Sequence, residues 1–239
     1  MNHHQRWGRS NKEEMNETGS GKTLNEKERF SGWTYFRMAY GFVGLVALLL
    51  NYLFMLNGVH HDFGPLQGSY RLMRLFTNQT NLLVVAWSLY SCLKTPERRE
   101  GLYLPRGLRG GLLVYITLAM AVFHVYLRQG YSLTPPLFAV SLLTHYLVPL
   151  AYLTDWLLTE PRGCYRWKYL WSWTLYPVGY WLVTMIIGSE TGEYPYPFLN
   201  WQEQGIISVL QKSAGAGVAV ILLGAVIISL NRIMPSTKD

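Results

Sequence analysis

The sequence predicts an all-α polytopic membrane protein: one bundle of six transmembrane helices with both termini in the cytoplasm. Half of the 239 residues are hydrophobic and only 15% are charged. A span across the hydrocarbon core needs about 20 mainly apolar residues. Six segments fit that description, at residues 33–56, 74–93, 110–127, 136–158, 167–187 and 206–230. The third of these is the shortest.

The positions of the cations predict the orientation of the bundle. Lys and Arg cluster before the first span, after the second and after the fourth, whereas the loop 188–205 has none. By the positive-inside rule, the cationic segments lie in the cytoplasm and the loop 188–205 lies outside. The net charge of +7 is therefore explained by membrane orientation, and no nucleic-acid partner is expected.

The membrane domain has a polar tail on each side. Residues 1–31 are charged and have few large apolar groups, so they cannot bury enough surface to fold alone. We expect a mobile cytoplasmic tail at 1–31, a transmembrane domain at 32–232 and a short cytoplasmic tail at 233–239. The first span is expected to be retained, because bulky residues such as Tyr52 stand near its end, where a signal-peptide cleavage site needs small ones.

Neither a disulfide framework nor a metal site is predicted. Cys92 and Cys164 both fall on the predicted cytoplasmic side and lack zinc-site spacing. His60, His61 and Asp62 could bind a metal, but adjacent histidines in a turn or strand point apart, so a polar outer loop is favoured. No cofactor is expected.

The second span opens with a polar cluster. The stretch 71–93 is predicted as one apolar helix, with polar residues in its first turns at Thr77, Asn78, Gln79, Thr80 and Asn81. Polar groups at hydrocarbon depth cost free energy unless partners satisfy them. The cluster should therefore face the bundle interior or a cavity.

The fourth span contains a histidine and a carboxylate. His145 lies well inside it, and Pro149 removes the backbone donor for the His145 carbonyl, which predicts a local bend lining a cavity. A structural histidine bonded between helices is the alternative. Asp155 lies near the cytoplasmic end, where pairing with Arg98, Arg99 or Arg162 competes with a functional role.

Features of the last two spans and of the loop between them have several interpretations. Aromatic residues of the fifth span, among them Tyr180 and Trp181, could form a binding wall or an interfacial belt. The loop segment 194–199 (YPYPFL) is stiffened by two prolines and is interpreted as a lid. Small residues in the sixth span, such as Gly217 and Gly224, favour close helix packing.

Thr77 and His145 are the candidate catalytic residues. Thr77 lies about one turn deep from the outer side and His145 two to three turns deep. A threonine hydroxyl needs a base to become a nucleophile, and histidine titrates in the useful range. Further residues near this side are candidates for oxyanion stabilisation or substrate binding: Asn78, Asn81, His124, Tyr146, Tyr194 and Phe198.

Three segments carry a resemblance to a known family: 74–84 (RLFTNQTNLLV), 143–156 (LTHYLVPLAYLTDW) and 194–199 (YPYPFL). The chain resembles the androgen-induced gene family of six-span membrane proteins, and more closely that family's bacterial relatives. The resemblance implies an intramembrane hydrolase of fatty acid esters of hydroxy fatty acids, with Thr77 at the nucleophile position and His145 at the histidine position. It also implies a lipid-bilayer setting, in a bacterial plasma membrane, and an acyl-ester lipid as substrate.

Two other classes of function remain open from the residues alone. A transporter of small solutes or lipids could use the same polar cluster as a binding site at a helix bend, although the sequence shows no internal inverted repeat. A scaffolding membrane protein could use the cluster only to bond helices together.

Overall fold

A computed structural model describes residues 32–58, 64–93, 105, 107–128 and 134–234. The chain divides into two compact units, residues 1–35 and 36–239. Of the first unit, only 32–35 are described, as the start of a helix. The predicted tails at 1–31 and beyond residue 234, the histidine pair at 60–61 with Asp62, and the pairing candidates Arg98 and Arg99 lie outside the described residues.

The described residues are all-helical and contain no strand, which confirms the predicted all-α class. The α-helices are α1 (Gly32–Gly58), α2 (Pro65–Met73), α3 (Phe76–Leu93), α4 (Leu108–Val122), α5 (Pro135–Leu142), α6 (Val148–Thr159), α7 (Tyr169–Thr191), α8 (Trp201–Gln204) and α9 (Ile206–Ile233). A π-helical segment, Phe123–Leu127, extends α4, and a second, Leu143–Leu147, joins α5 to α6. A short 3-10 turn, Pro197–Leu199, precedes α8.

Four continuous helices are long and apolar enough to cross a membrane, which indicates an integral membrane protein. They are Gly32–Leu56, Leu108–Leu127, Pro135–Thr159 and Ile206–Ile233. These four coincide with the first, third, fourth and sixth predicted spans. The segments predicted as the second and fifth spans are also helical, as α3 and α7, but they are less apolar.

The stretch 71–93 is not one helix, so that prediction was wrong. Helix α2 begins before this stretch, at Pro65, ends at Met73 and is separated from α3 by Arg74 and Leu75. The break is stabilised by side chains of α3, because Asn78 donates to the Leu72 carbonyl at 3.1 Å and Gln79 donates to the Met73 carbonyl at 2.6 Å. The Leu72 carbonyl also accepts from the Leu75 amide at 3.1 Å, so backbone and side-chain donors together cap the end of α2.

The predicted disturbance near Pro149 takes the form of a π-helical segment. The Val148 amide donates to the Leu143 carbonyl five residues earlier, one residue more than in an α-helix. His145 lies at the centre of this segment, and His124 lies in the matching segment after α4. Both histidines of the predicted site are therefore on backbone of an uncommon geometry that is frequent at functional sites.

Helix α4 is the central element of the bundle. It packs against α3, α6, α7 and α9, and most of its residues are buried. Glycines allow a close approach to α7, because a Cβ at Gly110 or Gly111 would lie within 2.8 Å of the Trp173 ring. Small residues on α4 thus set its distance to α7.

Candidate functional site

An apolar cavity of about 410 Å³ lies beside the start of α3. Its walls come from α3, α4, α7 and α9, and from residues 196–199 of the loop after α7. Tyr180 and Trp181 line it, so part of the fifth-span aromatic group does form a cavity wall. Cavities of this size hold small organic ligands.

The small residues of α9 have two different roles. Gly224 allows close packing, because a Cβ there would come within 2.6 Å of Leu170. Ala214 and Gly217, by contrast, line the cavity, and nothing lies within 4 Å of a Cβ built on Gly217. The packing interpretation therefore holds for one part of the helix, while in the other part small side chains leave the cavity open.

Thr77 is buried and forms part of the cavity wall. Its carbonyl accepts from Thr80 Oγ1 at 3.0 Å and from Asn81 Nδ2 at 2.9 Å. Its backbone amide donates to the Tyr196 hydroxyl at 3.4 Å. The Thr77 hydroxyl itself makes no hydrogen bond to any described residue.

Asn78 and Asn81 join helices through their side chains. Asn78 donates to Leu72 in α2 and accepts from Asn51 Nδ2 of α1 at 3.2 Å. Asn81 donates both to the Thr77 carbonyl and, at 3.1 Å, to the Thr144 carbonyl. Both amide hydrogens of Asn81 are thus engaged, and its Oδ1 atom is buried without a partner among the described residues.

The contacts of His145 favour one tautomer. Its Nδ1 atom lies 3.0 Å from the Ser141 carbonyl oxygen, 3.1 Å from Thr144 Oγ1 and 3.3 Å from Ser141 Oγ. Because a carbonyl oxygen can only accept, the shortest of these contacts favours a proton on Nδ1. Nε2 then has the free lone pair and makes no hydrogen bond to a described residue. The ring stacks on Phe123, with centroids 3.8 Å apart and planes at 22°.

The structure brings the backbones of Thr77 and His145 close together but does not join their side chains. The shared Asn81 amide holds the carbonyl oxygens of Thr77 and Thr144 no more than about 6 Å apart. No hydrogen bond links the Thr77 hydroxyl to His145 among the described residues, and His145 does not line the 410 Å³ cavity.

His124 and Tyr146 belong to a second cavity of about 320 Å³. His124 Nδ1 and the Tyr146 hydroxyl form a hydrogen bond of 2.9 Å, and Ser141 and Arg128 complete the polar lining. The Phe123 ring, which stacks on His145, also lines this cavity. His124 and Tyr146, both predicted as binding residues, are therefore close to His145 but do not line the cavity that contains Thr77.

The loop 192–200 contains Tyr194 and Phe198, both predicted as binding residues, and places them differently. Phe198 lines the 410 Å³ cavity, whereas the Tyr194 ring packs over Gly188 and its hydroxyl is buried without a partner in the described part of the chain. Tyr196, which was not among the predicted site residues, lies between them in the sequence and contacts Thr77. Because both tyrosines precede a proline in YPYP, their sequence context does not distinguish them.

The base of the loop is anchored to α2 and to the turn that follows it. Arg71 donates to the Glu193 carboxylate at 2.6 Å. Arg74 donates to the Glu193 backbone carbonyl, also at 2.6 Å. These contacts hold the loop against α2. We define the Thr77 end of the bundle as α2, the start of α3, the π-helical segment Leu143–Leu147 and the loop 192–200.

The opposite, Asp155 end of the bundle contains a buried ion network. Asp155 is fully buried, pairs with Arg37 at 3.0 Å and Arg109 at 2.8 Å, and accepts from the Tyr40 hydroxyl at 3.1 Å. Arg162, an expected partner, instead donates to the Leu157 carbonyl. Arg37 and Arg109 lie near the starts of α1 and α4, and α4 packs against α6.

Glu160 and Tyr165 extend this network. Glu160 pairs with Arg109 at 2.8 Å and accepts from the Tyr165 hydroxyl at 2.6 Å. Burial, and then the adjacent Glu160 carboxylate, raise the pKa of Tyr165, so its hydroxyl stays protonated and donates. Carboxylates at this end are thus fully engaged with donors.

No protein-family model, curated protein or solved structure matches this chain. The described residues contain no group of three or more His, Cys, Asp or Glu side chains that could hold a metal ion.

Proposed function

We propose that this chain is an intramembrane hydrolase of lipid esters, in which Thr77 is the nucleophile and His145 the general base. The observation that carries the proposal is the Thr77 side chain in the wall of an apolar 410 Å³ cavity, with a hydroxyl that no described residue engages. An acyl chain is the ligand that such a cavity suits, because its walls are mostly hydrocarbon and aromatic.

Comparison with other threonines supports this role. Thr80, Thr144, Thr154 and Thr174 all donate their hydroxyls to carbonyls three or four residues earlier in their helices. Such internal bonds are the usual arrangement for threonine in membrane helices. Thr77 departs from this arrangement and keeps its hydroxyl available to the cavity.

The reaction proceeds by acyl transfer. His145 Nε2 accepts the Thr77 hydroxyl proton while Oγ1 bonds to the ester carbonyl carbon, and the resulting imidazolium protonates the leaving alcohol oxygen as its bond to carbon breaks. Water then attacks the acyl-threonine by the same route and releases the fatty acid. Substrate binding has to bring Thr77 and His145 into hydrogen-bond contact, a tightening that is common on binding.

We also propose that α3 and α7 cross the membrane, which makes six spans with both termini in the cytoplasm. Helix α3 buries Thr77, Asn78, Thr80, Asn81 and Ser88 and exposes Leu82, Leu83 and Leu89. Helix α7 exposes Leu175, Val178, Leu182, Val183 and Ile186. Apolar side chains on the outside and polar ones inside suit a lipid environment.

Thiol labelling tests the orientation. Gln202 and Lys168 are both exposed, in α8 and just before α7. An impermeant maleimide applied to intact cells should label Gln202→Cys and should reach Lys168→Cys only after lysis. Burial raises the pKa of the native Cys164 thiol, so that residue reacts slowly and interferes little. Labelling of Lys168→Cys alone in intact cells would reverse the orientation.

A fluorophosphonate probe on purified protein tests the function. We expect one labelled threonine, Thr77, located by mass spectrometry, together with turnover of long-chain fluorogenic esters. Thr77→Ala should lose both, whereas Thr154→Ala, a remote helix threonine, should retain both. Saturable lipid binding without labelling or turnover would favour the transporter class instead.

A further inference from the structure

The proposed reaction needs a donor for the oxyanion that forms on the ester carbonyl. Donors aimed at this developing charge contribute a large part of catalysis in acyl transfer. The two amide hydrogens of Asn81 are bound to the carbonyls of Thr77 and Thr144, and Asn78 donates to Leu72. The asparagines hold the backbone in position, so another group has to stabilise the oxyanion.

We propose that Tyr196 is a further catalytic residue, whose hydroxyl donates a hydrogen bond to the oxyanion formed at Thr77. The inference rests on the proposed function. The Tyr196 hydroxyl lies 3.4 Å from the Thr77 amide nitrogen, and both residues line the 410 Å³ cavity. It is therefore next to the atom that would attack the ester.

The hydrogen bond from Thr77 to Tyr196 is long and easily exchanged. At 3.4 Å it exceeds the usual range for an amide donor. Thr77 is the second residue of α3, where backbone amides lack an intrahelical acceptor. An ester carbonyl oxygen that enters between the two residues can accept from the Thr77 amide and from the Tyr196 hydroxyl together.

The position of the Tyr196 ring is well defined before substrate binds. The ring is buried and stacks on Phe198, with centroids 5.3 Å apart and planes at 9°. A donor held in this way needs little reorganisation when charge develops. Tyr196 keeps its proton throughout: the carbonyl π electrons move to oxygen as the Thr77 bond forms, and they return when the alcohol leaves.

This role gives the loop 192–200 a chemical function besides covering the cavity. The loop carries Tyr196, and Arg71 and Arg74 anchor its base through Glu193. The oxyanion site is complete only while the loop lies on the bundle, so ester cleavage depends on the closed position.

Tyr196→Phe tests the proposal, with Tyr169→Phe as the control. Both variants remove one tyrosine hydroxyl, but Tyr169 lies at the start of α7, stacks on Trp173, and its hydroxyl makes no hydrogen bond to a described residue. For Tyr196→Phe we expect kcat to fall about 100-fold to 1,000-fold with KM nearly unchanged. Tyr169→Phe should retain wild-type kcat. Equal kcat values for the two variants would overturn the role of Tyr196.

A second variant tests the proposal in case Tyr196→Phe folds poorly. Incorporation of 3-fluorotyrosine at position 196 keeps the ring and the hydroxyl and makes the donor more acidic, so kcat should change by about twofold or more. An unchanged kcat in that variant also contradicts the proposal. Turnover that depends on Thr77 but not on Tyr196 would remove this inference alone, whereas absence of turnover and labelling in the wild type would remove the proposed function as well.

Discussion

The two ends of the bundle differ in how far their acceptors and hydroxyl groups are engaged. At the Asp155 end, two carboxylates are paired with two guanidinium groups and with Tyr40, Thr159 and Tyr165, although Arg109 Nε and two nitrogen atoms of Arg162 have no partner among the described residues. At the Thr77 end, the Thr77 hydroxyl, His145 Nε2 and Asn81 Oδ1 have no hydrogen-bond partner among the described residues, and a cavity adjoins the first of them.

This difference implies two roles within one fold: the Asp155 end stabilises the bundle, and the Thr77 end has groups available for the proposed reaction. Buried carboxylates that are fully engaged with donors join helices, because breaking such a contact leaves a charge unpaired. Polar groups left available beside a cavity contribute less to stability and can react with a ligand. Substitutions at the two ends should therefore affect different measurements.

The largest effect is expected at the Thr77 end, on turnover. Thr77→Ala and His145→Ala should each lower ester turnover about 1,000-fold or more, and the double variant should cost little more than one alone, because the two act as a unit. Melting temperatures should change little in the purified proteins. Additive losses from the two substitutions would contradict a shared step.

The next effect is expected at the Asp155 end, on stability. Asp155→Asn leaves Arg37 and Arg109 without their shared carboxylate and should lower the free energy of unfolding by about 3–5 kcal/mol. Turnover per folded molecule should stay at the wild-type level. The exposed substitution Glu203→Gln serves as the control in the same thermal melts. A catalytic role for Asp155 would instead appear as lost turnover in well-folded protein.

The smallest effect is expected at the anchor of the loop. Glu193→Gln removes the ion pair with Arg71, but the bond from Arg74 to the Glu193 backbone remains, and exposed pairs contribute about 0–1 kcal/mol. We expect a modest rise in KM in proteoliposomes at low salt. A higher salt concentration should likewise raise the KM of the wild-type protein, since salt screens exposed charges. If added salt raised the KM of Glu193→Gln as much as it raised the KM of the wild type, the Arg71–Glu193 pair would be excluded as the source of the salt effect.

The sequence predicted the helical class and the burial of the polar cluster, because apolar length and the cost of polar groups in hydrocarbon are local properties. Thr77, Asn78, Thr80 and Asn81 are indeed buried. The break at Arg74 was not predictable, since it depends on side chains of the following helix capping α2. The partners of Asp155 and the position of Tyr196 depend on which helices pack together, which no single segment encodes.

The polarity of α3 has a consequence for how the protein is made. This helix carries its polar residues on the face that the finished bundle covers and its leucines on the face left exposed. On the six-span topology proposed above, that polar face meets hydrocarbon until other helices cover it, and each unsatisfied group costs free energy. The Asn51 partner of Asn78 precedes α3 in the chain, whereas the Thr144 partner of Asn81 follows α5. On that proposal, the polar face of α3 is therefore fully satisfied only after the segment that carries Thr144 has been made and has packed beside it.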